Sequence, residues 1–289
     1  MERSCPEEKN NKNIAVENNN SSSKPSKEDI IDQAFKLHSQ GKTLHAAKLY
    51  QYFINQGFKD HRVFSNYGVI LKNLGKLKEA EISYQKAIEL NHNYAEAHYN
   101  LGLILLERDE HDLSLKHFSK SADLLRGQNN KELTHKRFTT ISKAKIMHDI
   151  EQFEYFVSQG FENKKFTDLA ILYKKIATEI YWPSVTQLIT LNNQHQSLLK
   201  DSYNRLINVI EAPRLEKEAI NNSLNIEKIT KNYFDHEFGL TYIDDFLSPT
   251  ALELLRKFLL GSTIWFDVKS GGYIGAYLKE GLASPLIIQ

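Results

Sequence analysis

Large, small and turn-forming side chains recur along this chain with a period of 34 residues. In residues 61–94 the order is large, large, small, large, turn, small, large, small, at Phe64, Tyr67, Gly68, Leu71, Gly75, Ala80, Tyr84 and Ala87. The same offsets in residues 95–128 give His98, Leu101, Gly102, Leu105, Asp109, Ser114, Phe118 and Ser121. In residues 27–60 they give Ile30, Gln33, Ala34, Leu37, Gly41, Ala46, Tyr50 and Phe53. Positions three and four apart share a helix face, so each copy reads as two antiparallel helices joined at Gly41, Gly75 or Asp109. The small residues let the pair approach and the large ones fill the seam. No unit of this kind buries its apolar face alone, so about three must stack. Six helices are predicted from residue 27 to residue 126.

The period is lost after residue 128. Ile146, Ile150, Phe153 and Val157 form one apolar helical stripe, ended by Gly160. Phe166, Leu169, Ala170, Tyr173, Ile176, Ala177 and Ile180 form a second. Leu188, Leu191, Leu198, Leu206 and Ile210 outline a third between Pro183 and Pro213. Residues 129–235 therefore read as helices that cap or link the repeats. The texture changes near Gly239. GLTYIDDFL alternates as a strand does, Ser248-Pro249 starts a helix that Gly261 stops, and GGYIGAYL is a second strand candidate, with Gly271 and Gly272 suited to a hairpin or bulge. Ser284-Pro285 opens another helix start just before Gln289. Residues 236–289 read as the incomplete opening of an α+β segment, because two strands make at best a marginal sheet. The expected fold class is mainly α: a helical solenoid, further helices, then this truncated piece.

Composition adds limits. Lys plus Arg (37) nearly balance Asp plus Glu (36), giving a net charge of +1 and no general pull toward nucleic acid or an anionic membrane. The single cysteine, Cys5, allows no internal disulfide and fits a reducing, cytoplasmic compartment. Residues 1–26 are rich in Asn, Ser, Lys and Glu and read as a disordered tail. None of the eleven histidines has an acidic residue two places on, no His-Glu-x-x-His stretch occurs, and His111 and His117 suit surface or packing roles rather than ligation. No metal site, cofactor or catalytic residue is expected in this chain.

The 34-residue pattern resembles the tetratricopeptide (TPR) family, closely in the middle copy and loosely in the outer two, where His92 stands for the favoured proline and Phe53 for a small residue. In that family the first helix of each unit lines a concave groove. The residue before the large-small pair points into it: here Asp32, Asn66 and Asn100. An amide both donates and accepts, so such a row can hold a peptide backbone. The arrangement resembles the asparagine ladder of N-acetylglucosaminyl transferases acting on intracellular proteins. The dicarboxylate clamp for chaperone tails is disfavoured: Ile31, Phe35, Glu96 and Asn100 stand where basic or other clamp residues belong, and only Asn66 matches. The implied partner is a protein or peptide.

Residues 203–289 resemble the front of a bacterial family related to 2-oxoglutarate/Fe(II) oxygenases, through YNR (203–205), EAP (211–213), YIDDFLSP (242–249), LRKFLL (255–260), STIWFD (262–267) and GGYIGAYL (271–278). The resemblance implies Fe(II) and 2-oxoglutarate for a full-length relative, with ligands that come later in the family pattern. Two readings follow: a protein-interaction scaffold, and the N-terminal part of a TPR-fused oxygenase. Either predicts an exposed apolar patch near Trp265, Phe266 and Ile287 that favours self-association.

Overall fold

Each predicted repeat forms a helix pair, and the close approach that makes it possible is visible at the glycines. A computed structural model describes residues 25–128, 135–161, 163–269 and 273–289. Cys5, nearly all of the 1–26 tail and the Gly271-Gly272 pair lie outside the described residues. The chain divides into two compact units, up to Phe58 and from Lys59 onward.

The first unit holds α1 (Lys27–Ser39) and α2 (Thr43–Asn55). Ser26 caps α1 by accepting from the Asp29 amide, while the Asp29 carboxylate accepts from the Ser26 amide. Ala46 and Tyr50 are fully buried between the helices, and the Tyr50 hydroxyl lies 3.2 Å from His38 Nδ1. Phe53, large where a small residue was favoured, is buried against Phe58 at 5.4 Å between ring centroids.

The second unit opens with α3 (His61–Asn73), α4 (Leu77–Leu90), α5 (Ala95–Glu107) and α6 (His111–Arg126). A Cβ on Gly68 would fall 2.6 Å from the Tyr84 ring, and one on Gly102 would fall 2.8 Å from Phe118. Each aromatic ring therefore lies on a bare helix backbone. Ser114 replaces the small alanine of the middle copy without cost, because its buried hydroxyl donates to Gly102 O at 2.8 Å. The helix-joining turns need left-handed backbone, at φ +73° for Gly75 and +60° for Asp109. Leu71, Ala80, Tyr84, Leu101, Ile104 and Leu105 merge into one core linking α3–α4 to α5.

From residue 135 onward come α7 (Lys136–Thr139), β1 (Thr140–Ile141), α8 (Lys143–Ser158), α9 (Asn163–Glu179), β2 (Ile189–Thr190) and α10 (Asn193–Leu199). The first two predicted stripes are α8 and α9. Ile146, Ile150, Phe153, Phe156, Phe166, Tyr173 and Ile176 interlock as their shared core. The third stripe is a helix only over α10. Leu206 and Ile210 lie outside any helix, because the amides there bond elsewhere: Leu206 N to Arg126 O, Ile207 and Asn208 N to Thr263 Oγ1, and Ile210 N to Ser262 Oγ.

The C-terminal part holds α11 (Ile226–Asp235), α12 (Pro249–Gly261), β3 (Asp267–Val268), β4 (Ile274–Gly275), a 3₁₀ turn at Leu278–Glu280 and α13 (Pro285–Ile288). Ser248 caps α12 with Pro249 in its first turn, as the Ser-Pro pair predicts. The strand expected in GLTYIDDFL is absent. Asp245 takes φ +53°, Tyr242 is 92% exposed, and only Leu247 bridges a neighbour, Ile220. Alternation marks a strand only where another strand lies alongside to pair with it. The expected apolar patch is also absent at its stated place. Phe266, Leu286 and Ile288 are buried, and Trp265 and Ile287 pack on a core of Ala212, Phe258, Ile264 and Leu286.

The same segment covers α6. The 3₁₀ turn and α13 pack on it, and Arg126 in its last turn is held by Glu280, with Nε at 2.9 Å and Nη2 at 2.6 Å from Oε1. Both side chains are almost wholly buried, and the Arg126 guanidinium stacks on Phe266 at 4.4 Å.

Two predictions follow from this packing. Gly68→Leu, by forcing the α3–α4 pair apart at Tyr84, should lower stability by about 1–3 kcal/mol in urea unfolding; an unchanged midpoint would refute the close-packed register. Glu280→Leu strands a buried guanidinium and should cost about 3–5 kcal/mol, whereas the double variant Arg126→Met/Glu280→Leu should recover most of that loss. A double variant no more stable than the single one would show that the ion pair is not the source of the penalty.

Candidate functional site

Helix α3 turns Val63, Gly68, Ile70 and Leu71 inward, and α5 turns Ala97, Leu101, Ile104 and Leu105 inward. What remains for the opposite face is polar at one repeating position. Asn66 on α3 and Asn100 on α5 sit on adjoining helices, half-buried, with no hydrogen-bond partner among the described residues. Asp32, at the equivalent place in the first copy, is exposed on α1 of the other unit. Lys72 and Glu107, paired at 3.0 Å, fix the far ends of α3 and α5 to each other. Arg108 reaches back to Glu81 on α4 at 2.5 Å.

A cavity of about 880 Å³ opens at the first turns of α3 and α5 and the last turn of α6. His61, Tyr94, Glu96, Lys120, Asp123 and Arg137 are among its walls. Glu96 lies one helical turn before Asn100, but the cavity reaches neither asparagine. It offers both charge signs and a half-buried phenol, a mixture suited to a polar peptide rather than to one small ion.

The third copy also holds a histidine pair that nothing in the spacing announced. His98 Nε2 is 3.0 Å from His92 O, and His98 Nδ1 is 3.0 Å from His117 Nδ1. A carbonyl only accepts, so His98 carries its proton on Nε2 and its bare Nδ1 accepts from His117. His117 thus has a packing role. Burial, then the adjacent His98 and Lys116, push its pKa down to about 4.

A further cluster, also unsigned in the sequence, surrounds Arg126. Lys145 is buried against Asp149 and lies over the Tyr203 ring at 5.6 Å. Burial pushes the Lys145 ammonium down and the nearby Asp149 carboxylate pulls it back up. Burial pushes the Tyr203 and Tyr173 phenols far above their usual range. Among the described residues no group of three or more His, Cys, Asp or Glu side chains is arranged to hold a metal ion. No helix among them is long and apolar enough to cross a membrane.

Residues 68–108 match the family model for the TPR repeat, a stretch that includes both glycines, Gly68 and Gly102, on which aromatic rings lie. Residues 68–108 thus carry a TPR repeat, within a chain whose described residues are mainly α-helical. No curated protein matches it significantly. Solved structures similar to part of it include the TPR2B domain of yeast Sti1 in complex with pHsp70, at 21% identity over 37% of this chain and 86% of that one, TM-score 0.33. Another is the Yersinia enterocolitica type III secretion chaperone SycD with a peptide of the translocator YopD, at 16% identity over 54% and 98%, TM-score 0.34. A third is MamA, at 20% identity over 53% and 72%, TM-score 0.33. The likeness of the C-terminal segment to oxygenases finds no support in these comparisons.

The histidine pair predicts an acid-sensitive third repeat. His117 titrates near 4 when folded and near 6.5 when unfolded, so the unfolded chain binds the extra proton between those values. Its contribution is complete above pH 6.5, falls as pH drops toward 4 and then levels off. Allowing for the ring's partial exposure, the loss should be about 1–2 kcal/mol. Urea midpoints at pH 7 and pH 4.5 test this: His117→Gln should show a smaller drop than wild type, and equal drops would assign the acid sensitivity to other groups.

Proposed function

We propose that this protein is an interaction scaffold that holds an extended peptide segment of another protein along the polar face of α3 and α5. The observation that carries the reading is the pair Asn66 and Asn100: half-buried amides, 34 residues apart, on adjoining helices, without partners among the described residues. A half-buried amide with no partner among the described residues is poised for an outside donor and acceptor, and a peptide backbone supplies one of each in sequence. Asp32 stands at the same repeat position in the first copy. The TPR match supports the same reading, since stacked helix pairs present extended binding surfaces.

The helices that carry these residues are held by Tyr84 and Phe118 beneath Gly68 and Gly102, so the asparagines can be removed without touching the core. Asn66→Ala and Asn100→Ala should each weaken partner binding by about 0.5–1.5 kcal/mol and leave the thermal midpoint unchanged. The test is recovery of partners from cell extract by wild type and by the double variant, compared by quantitative mass spectrometry. Equal recovery would move the binding face away from α3 and α5.

A further inference from the structure

A second cavity, of about 250 Å³, lies between α6, α7, α8 and the strand β3, and its walls are cationic. Arg126, Lys136, Arg137, Lys145 and Lys269 line it, and one carboxylate, Asp267, joins them. Glu280 and Asp149 stand behind, engaged with Arg126 and Lys145. Five cations therefore face three carboxylates, a surplus of two positive charges in a small space. Folded chains do not usually gather so many like charges around a cavity, because the repulsion is unfavourable unless something offsets it.

Two observations show that the internal partners leave capacity unused. Arg126 is 3% exposed, yet its Nη1 has no hydrogen-bond partner among the described residues, although Nε and Nη2 are both taken by Glu280. An unpartnered guanidinium nitrogen at that depth is costly and calls for an acceptor. Lys136 lines the same cavity with an exposed ammonium that has no partner among the described residues. Asp267 is already shared, at 3.6 Å from Arg126 and 3.7 Å from Lys269.

We infer that this cavity is a binding site for a phosphate group, free or carried as a monoester on a small molecule. The donors come from four different elements and so approach from several directions. That suits a tetrahedral dianion with many acceptor lone pairs better than a planar monoanionic carboxylate, which one Arg fork would satisfy. The Phe266 ring, stacked on Arg126, and the Tyr203 ring beneath Lys145 keep the two buried cations in place while the anion enters.

The test titrates the purified full chain with inorganic phosphate, with glycerol 3-phosphate and with acetate, each at ionic strength matched by potassium chloride, reading the thermal midpoint and heat of binding. A ligand that binds only the folded state raises the midpoint saturably. Phosphate or its monoester should do so and acetate should not; the tighter of the two shows whether the free ion or the ester is the better occupant. Lys136→Glu is exposed and unpaired, so it should fold as wild type does, which its midpoint in chloride verifies, and should weaken binding at least tenfold. Lys231→Glu, the same charge change on exposed α11, should bind as wild type does. No saturable effect with either phosphate, equal binding of acetate, or equal losses in the two variants would overturn the site.

Discussion

A guanidinium taken out of water must find a carboxylate, and Arg126 finds one in Glu280, 154 residues further along the chain. Much of the second unit is arranged around that requirement. The pair draws the 3₁₀ turn at Leu278–Glu280 onto α6, and α13 follows. Phe266 covers the open face of the guanidinium, which pulls β3 into the same place. The backbone carbonyl of Arg126 accepts from Leu206, and Gly127 O accepts from Arg205, so the chain after α10 is tied to the same corner. Those bonds keep residues 206–210 out of a helix and let Thr263 and Ser262 satisfy amides that a helix would have satisfied internally. A segment with only two two-residue strands of its own is thereby given a fixed shape.

The repeats are ordered by a different and simpler constraint. Where Tyr84 and Phe118 lie on Gly68 and Gly102, a methyl group has no room, so helix spacing is set by ring thickness rather than by side-chain volume. A helix pair closed in this way is stiff. It turns one face inward and leaves the opposite face free of structural duty. Asn66 and Asn100 fall on that free face, which is why their amides can be unpaired and half-buried without weakening the core. Function in such a scaffold is a matter of what the packing does not use.

Charge behaves oppositely in the two regions. Along the repeats it is paired at the surface, as in Lys72–Glu107 and Arg108–Glu81, where each pair contributes little and mainly keeps neighbouring helices in register. Around Arg126 it is buried, and each partner is needed because an uncompensated ion there would be expensive. The same burial that makes Lys145 depend on Asp149 concentrates the field in the cavity beside them.

Local pattern was enough to read the repeats and the two stripes of α8 and α9. Apolar residues at helical spacing, Gly75 at a left-handed turn and Ser248-Pro249 at a helix start each act within a few residues of themselves, so their meaning does not depend on distant chain. The sequence placed Asn66 and Asn100 at one repeated position by the same logic. It misread the stretch from Leu206 to Ile210, because a helix exists only if its amides have no better partner, and those partners, Ser262 and Thr263, lie far away in sequence; it misread GLTYIDDFL because alternation makes a strand only where another strand lies alongside. It also placed Phe266 on an exposed patch, because burial is decided by which element arrives to cover a surface. The Arg126–Glu280 pair, the His98–His117 contact and the cationic cavity carry no short-range signature at all. They arise where separate elements converge, and only the tertiary structure could decide which charges would meet there, since Coulomb attraction and desolvation depend on distance in space and not on position along the chain.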